Sequence, residues 1–160
     1  MGKQNDGVNL TETTSKQYHS LGDVHETDAG DVYIYAQADG AVTAYDVYNL
    51  IPGTWQIDAA ADAGVNPANA SNIHACAPQV TFADDEYGWV FVGPGEFTAD
   101  TDATGVAGAN DIIYVSATAG KLSSGATAAF VPGVHTTAAI TGAATGTFYA
   151  AERLQVVDAA

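Results

Sequence analysis

Asp100, Asp102, Thr104 and Asp111 stand at positions one, three, five and twelve of a loop, with Gly105 at position six. This is the spacing by which carboxylates and carbonyls wrap a hard cation, so the segment is a candidate calcium loop. Its last ligand is Asp111 where a bidentate glutamate is usual, and its flanks have strand rather than helix patterning. Calcium here would be structural, stiffening the loop ahead of the strand that starts at Asp111. A second pair, His74 and Cys76, sits two residues apart and shares a strand face. Zinc wants three or four ligands, so the pair is read as packing. No Gly-x-Ser-x-Gly turn is present, and Gly93-Pro94-Gly95 lacks the lysine and helix of a phosphate loop. His19, His25 and His135 have no metal-ligand spacing and read as surface or sheet residues, and no residue stands out as an acid–base pair. The chain is expected not to be an enzyme and to need no cofactor, calcium being the one candidate ion.

Charge bounds the partners. The 160 residues hold 19 acidic side chains against four cations, Lys3, Lys16, Lys121 and Arg153, for a net charge of −15. Nucleic acid and anionic membranes are recognised through basic patches, so both are excluded as expected partners. No apolar run approaches the roughly 20 residues of a membrane span, and no charged-then-apolar leader opens the chain. The expectation is a soluble protein made in a cytosol. Cys76 is the only cysteine, which rules out an internal disulfide.

Short strands punctuated by Gly, Asp and Asn must carry these groups. Leu21–Thr27 and Val32–Ala38 flank Asp28-Ala29-Gly30-Asp31 and predict a hairpin. Tyr45–Ile51 and Thr54–Ala59 flank Pro52-Gly53 and predict another. Residues 60–72 read as loop. Further strands are expected at His74–Phe82, Tyr87–Gly93, Asp111–Thr118, Ala128–Val131, Val134–Thr141 and Thr147–Val157. No helical stripe exceeds two turns, so the class is all-β: a small sandwich or barrel of short antiparallel strands. Residues 1–16 form an extended N-terminal arm and residues 17–160 a single β domain. The aspartate, apolar strand and glycine turn of Asp31–Thr43 recur in Asp111–Ser123, a pattern of either a duplicated half-barrel or two ordinary hairpins.

The run Tyr87-Gly88-Trp89-Val90-Phe91-Val92 is apolar on both faces. Tyr87, Trp89 and Phe91 point one way, Val90 and Val92 the other. Such a strand is buried on both sides, at the centre of a sandwich or barrel or beneath a neighbouring subunit. Trp55, Trp89 and the eight tyrosines also admit a sugar-binding role, since aromatic faces stack on sugars, although strand aromatics more often fill cores.

Several short motifs together resemble small capsid decoration proteins of tailed bacteriophages. They are Tyr33-Ile34-Tyr35-Ala36-Gln37-Ala38-Asp39-Gly40, Ala83-Asp84-Asp85-Glu86-Tyr87-Gly88-Trp89-Val90 with Gly93 and Gly95, Gly108-Ala109-Asn110-Asp111-Ile112 with Ala119-Gly120-Lys121-Leu122, and Pro132-Gly133-Val134. The likeness covers Leu21 to Val157. It departs at Asn110, where glycine is expected, and in an Asp/Thr-rich insert from Thr98 to Thr104. The resemblance implies a β-barrel or sandwich, a homotrimer, on the outer capsid surface of a virion, made in the host cytoplasm and bound to the major capsid protein as a cement. Tyr87, Trp89 and Phe91 are the expected subunit-interface or core residues, and Val8, Leu10 and Lys16 of the arm the expected capsid contacts. The alternative is a β-sandwich module for glycans or a fibre- or adhesin-like surface protein, with calcium as its stabilising ion.

Overall fold

A computed structural model describes residues 8–59, 64–65, 73–125 and 129–158. Strands are the only regular elements among the described residues, joined by turns and loops. These are β1 (Thr13–Thr14), β2 (Val24–Glu26), β3 (Val32–Ala38), β4 (Tyr48–Ile51), β5 (Gln56–Ile57) and β6 (Ile73–Cys76). They continue as β7 (Tyr87–Phe91), β8 (Gly95–Asp100), β9 (Gly105–Val106), β10 (Tyr114–Val115) and β11 (Leu122–Ser123). The last are β12 (Ala129–Phe130), β13 (Val134–His135), β14 (Ile140–Thr141), β15 (Thr145–Ala150) and β16 (Gln155–Asp158). The protein is all-β.

One curled sheet runs β1-β7-β3-β5-β4-β6-β16-β12-β10-β11, with β2 added on β3. Its pairs are antiparallel except β3–β5, which is parallel. Two smaller sheets, β13-β15-β8 and β14-β9, complete the fold. Both expected hairpins form, with Val24 opposite Ile34 and Leu50 opposite Ile57.

The two-faced strand finds its explanation inside one chain. Phe91 enters a core with Phe97, Phe148, Val115, Leu122 and Val156, where it stacks on Phe97 at 4.8 Å between ring centroids. Val90 and Val92 enter the opposite core with Ile34, Leu50, Ile57 and Phe82. The sheet therefore has a core against each face, and both sides of β7 lose water without a neighbouring subunit. Burial of this kind is worth about 1.5–3 kcal/mol per large apolar side chain.

Four expectations need correction. The Thr98–Thr104 insert is half strand: β8 pairs with β15 over six residues, from Gly95–Ala150 to Asp100–Thr145. Phe97 and Ala99 point inward on it and are buried, while Glu96, Thr98 and Asp100 are not. The strand expected over Asp111–Thr118 shrinks to Tyr114–Val115, and the one over Thr147–Val157 splits at Ala151–Leu154 into β15 and β16. The internal echo does not extend to the strands, since β3 has seven residues and β10 two. Apart from Gly64 and Val65, the loop expected over 60–72 lies outside the described residues.

Candidate functional site

The β7 and β3 ladders set one column of aromatic side chains. Tyr33 lies opposite Phe91, Tyr35 opposite Trp89, and Gln37 opposite Tyr87. Directly opposed residues share a face, so the column descends from the surface at Tyr87, through Trp89 and Tyr35, to the core at Phe91. Tyr35 stands 5.3 Å from Trp89 at 62° and 6.4 Å from Tyr87 in a nearly parallel stack. His19 abuts both Tyr35 and Trp89 edge-on, at 5.0 and 5.1 Å, and His25 approaches Trp89 at 5.7 Å.

Residues before β2 roof the upper half of this column. The arm joins the sheet as β1, with Thr13 opposite Gly88 and Thr14 opposite Tyr87. Ahead of it, Asn9 accepts hydrogen bonds from the backbone NH and hydroxyl of Thr11 and donates to Glu12 Oε2 at 3.1 Å. Beyond β1, the Tyr18 NH donates to the Tyr35 hydroxyl at 3.2 Å, and Gly22 and Asp23 exchange backbone hydrogen bonds with Tyr35. Between roof and sheet lies an open basin of about 240 Å³, lined by Asn9, Glu12, Thr14, Tyr18, His19, Tyr35, Tyr87 and Trp89. Trp89 and Tyr35 form its floor, 4% and 3% exposed, and Tyr18 its rim, 70% exposed.

The six residues expected at an interface thus divide. Tyr87 and Trp89 line the basin, whereas Phe91 is core. Val8 and Leu10 are half-buried and Lys16 is exposed. Asn9, Glu12, Thr14, Tyr18, His19 and Tyr35 were missed by sequence reasoning. The alternation of Tyr33 and Tyr35 along β3 was the available signal for part of the column.

Two of the four candidate calcium residues, Asp100 and Asp102, have other side-chain partners. Asp100 accepts hydrogen bonds from Lys121 Nζ at 2.9 Å and from the Thr145 hydroxyl at 2.6 Å. Asp102 caps the backbone NH groups of Thr104 and Gly105, at 2.8 and 3.2 Å, and accepts from the Ser116 hydroxyl. Among the described residues no three His, Cys, Asp or Glu side chains gather as a metal set.

Lys121 also bonds Asp46, making one ammonium shared by two carboxylates. Burial pushes the Asp46 carboxyl above its ordinary value, and the attraction of Lys121 recovers only part of that shift. At Asp100 burial also opposes the charge, but the hydrogen bonds from Thr145 and Lys121 outweigh it and hold the carboxyl low. Burial likewise works against the Lys121 charge, and the two carboxylates more than compensate, raising its pKa. Cys76 is fully buried, and burial drives its thiol far above the ordinary range, away from nucleophilic thiolate chemistry.

No protein-family model matches this chain. No curated protein matches it either.

Proposed function

We propose that this chain is a structural virion protein that decorates the outer surface of a phage capsid and stabilises it by binding major capsid subunits. The observation that carries the reading is the meeting of the N-terminal arm and the aromatic column at one surface basin, the two features expected to make contacts. The motif resemblance, the all-β fold and the acidic surface support it. Docking would bury area that exists only on the assembled shell, so binding shifts the balance toward the intact shell by mass action. Trimerisation rests on the resemblance alone, because the burial of Trp89 and Phe91 is met within one chain. Deleting residues 1–16 tests the proposal. Binding to bare capsids should fall while the β-sheet circular dichroism persists, since neither core contains any of the described arm residues. Unchanged binding would remove the arm from the interface.

A second reading, a glycan-binding or fibre-like surface module, is favoured by one observation: Asn9, Glu12 and Thr14 place polar groups beside the rings of Tyr18 and Tyr87. Retention on a glycan array, abolished by Tyr87→Ala, would support it over capsid decoration.

A further inference from the structure

We infer that the basin is a receptor for a single cationic side chain, the head group of a lysine or arginine presented by a partner protein. The identity of that partner as a capsid subunit rests on the proposed function; the chemistry of the site does not.

Three features point to a cation. First, the walls are aromatic with one carboxylate. Tyr18 and Tyr87 bring accessible ring surface to a cavity that also holds Glu12, over a floor of nearly covered Tyr35 and Trp89. A cation within about 6 Å of such ring faces is attracted by their quadrupoles, with indole and phenol the strongest. Glu12 Oε2 already accepts from Asn9, but an ionised carboxylate has about four acceptor sites and receives a forked guanidinium well.

Second, the size suits a side chain. At about 240 Å³ the basin falls below the roughly 300–1,000 Å³ typical of pockets for larger organic ligands. The two floor rings, Tyr35 and Trp89, meet at 62°. With Trp89 and Tyr35 almost covered, only Tyr18 and Tyr87 offer ring surface, which is a poor platform for an oligosaccharide.

Third, the field has the right sign. The chain carries a net charge of −15. Asp84, Asp85 and Glu86 precede Tyr87 directly, with Asp85 held by Gln37 at 3.1 Å. Lys16, the nearby cation in sequence, is exposed and is not among the basin walls. An acidic surface draws a basic partner in and concentrates it at a carboxylate-bearing recess.

The test uses N-acetyl-arginine amide, N-acetyl-lysine amide and the neutral isostere N-acetyl-citrulline amide, titrated into the full chain. Binding is followed by tryptophan fluorescence and by NMR of the Tyr87 and Trp89 signals. The two cations should saturate, with affinities on the order of millimolar for so small a ligand, and citrulline should bind at least about fivefold more weakly. Glu12→Gln should weaken arginine binding by about five- to tenfold, and Tyr87→Ala by a similar factor, with thermal unfolding little changed. Equal binding of citrulline, indifference to Glu12→Gln, or displacement by a neutral sugar would overturn the inference. The two proposals separate cleanly. Arginine binding without capsid binding defeats decoration and keeps the receptor; capsid binding by a chain that ignores arginine does the reverse.

Discussion

Thr13 faces Gly88 across the β1–β7 ladder, and a Cβ on Gly88 would come within 2.9 Å of the Phe82 ring and 3.2 Å of the Glu12 carbonyl oxygen. Glycine is required there for space rather than for backbone freedom. It lets the arm lie against β7 and so brings Glu12 over the aromatic column. Gly88→Ala should destabilise the fold by about 1–3 kcal/mol, the usual cost of overpacking, and should speed amide exchange at Thr13 and Thr14. Wild-type stability together with unchanged exchange would contradict the close approach.

The shared ammonium at Lys121 predicts a pH signature. Lys121→Met leaves Asp46 buried beside Asp100 with no cation. Breaking a buried pair costs about 3–5 kcal/mol; because Lys121 and Asp100 retain 23% side-chain exposure, about 2–3 kcal/mol is expected after solvent screening. The raised pKa of Asp46 means that the folded state binds this proton more tightly than the unfolded chain does. That contribution therefore favours folding as pH falls through the raised value. Asp100, with its pKa lowered, has the opposite sign and loses stability as pH falls through the lowered value. In the variant the Lys121 attraction is gone from both carboxylates, so each takes up its proton more readily in the folded state and the deficit relative to wild type should narrow as pH falls through the raised Asp46 value. Chemical denaturation at several pH values checks it. A deficit that widens on acidification would contradict this account of the cluster.

Phe91 and Tyr87 lie on one face of one strand and should behave differently. Phe91→Ala removes a fully buried ring stacked on Phe97 and should cost about 3–5 kcal/mol. Tyr87→Ala, at the half-buried rim, should cost about 1 kcal/mol or less of stability while lowering ligand or capsid binding. Comparable losses of stability for the two would refute the division between core and basin.

The acidic loop predicts indifference to calcium. Asp100 is engaged by Lys121 and Thr145, and Asp102 by two backbone amides and Ser116. An ion on Asp100 would sit beside the Lys121 ammonium, which already holds that carboxylate at 2.9 Å, and like charges repel at that range. Millimolar calcium, or chelator, should shift the melting temperature by less than about 2 °C, compared with the several degrees that a stabilisation of about 1 kcal/mol would bring. A rise of several degrees with calcium would restore Asp100, Asp102, Thr104 and Asp111 as a site.

The legible parts of the fold were those encoded locally. Asp28-Ala29-Gly30-Asp31 and Pro52-Gly53 announced their hairpins through turn chemistry, and the apolar residues on both faces of β7 announced two-sided burial. β8 escaped because its inward positions are only Phe97 and Ala99, and because Gly93-Pro94-Gly95 and the acidic run after Ala99 read as loop. The basin was half legible. Tyr87 and Trp89 stood out as aromatic, but Glu12, Tyr18 and Tyr35 reach them only through a ladder register and an arm pairing, which depend on contacts distant in sequence. The charge of Asp100 misled for the same reason: its partner Lys121 is 21 residues away, beyond any loop-spacing argument.

Cosedimentation of the purified chain with undecorated tailed-phage capsid shells tests the central claim, the proposed capsid decoration, most directly. The account predicts saturable binding at a fixed ratio to the major capsid subunit and a higher melting temperature of the decorated shell. A chain that stays in the supernatant at every ratio, leaving shell stability unchanged, would contradict it.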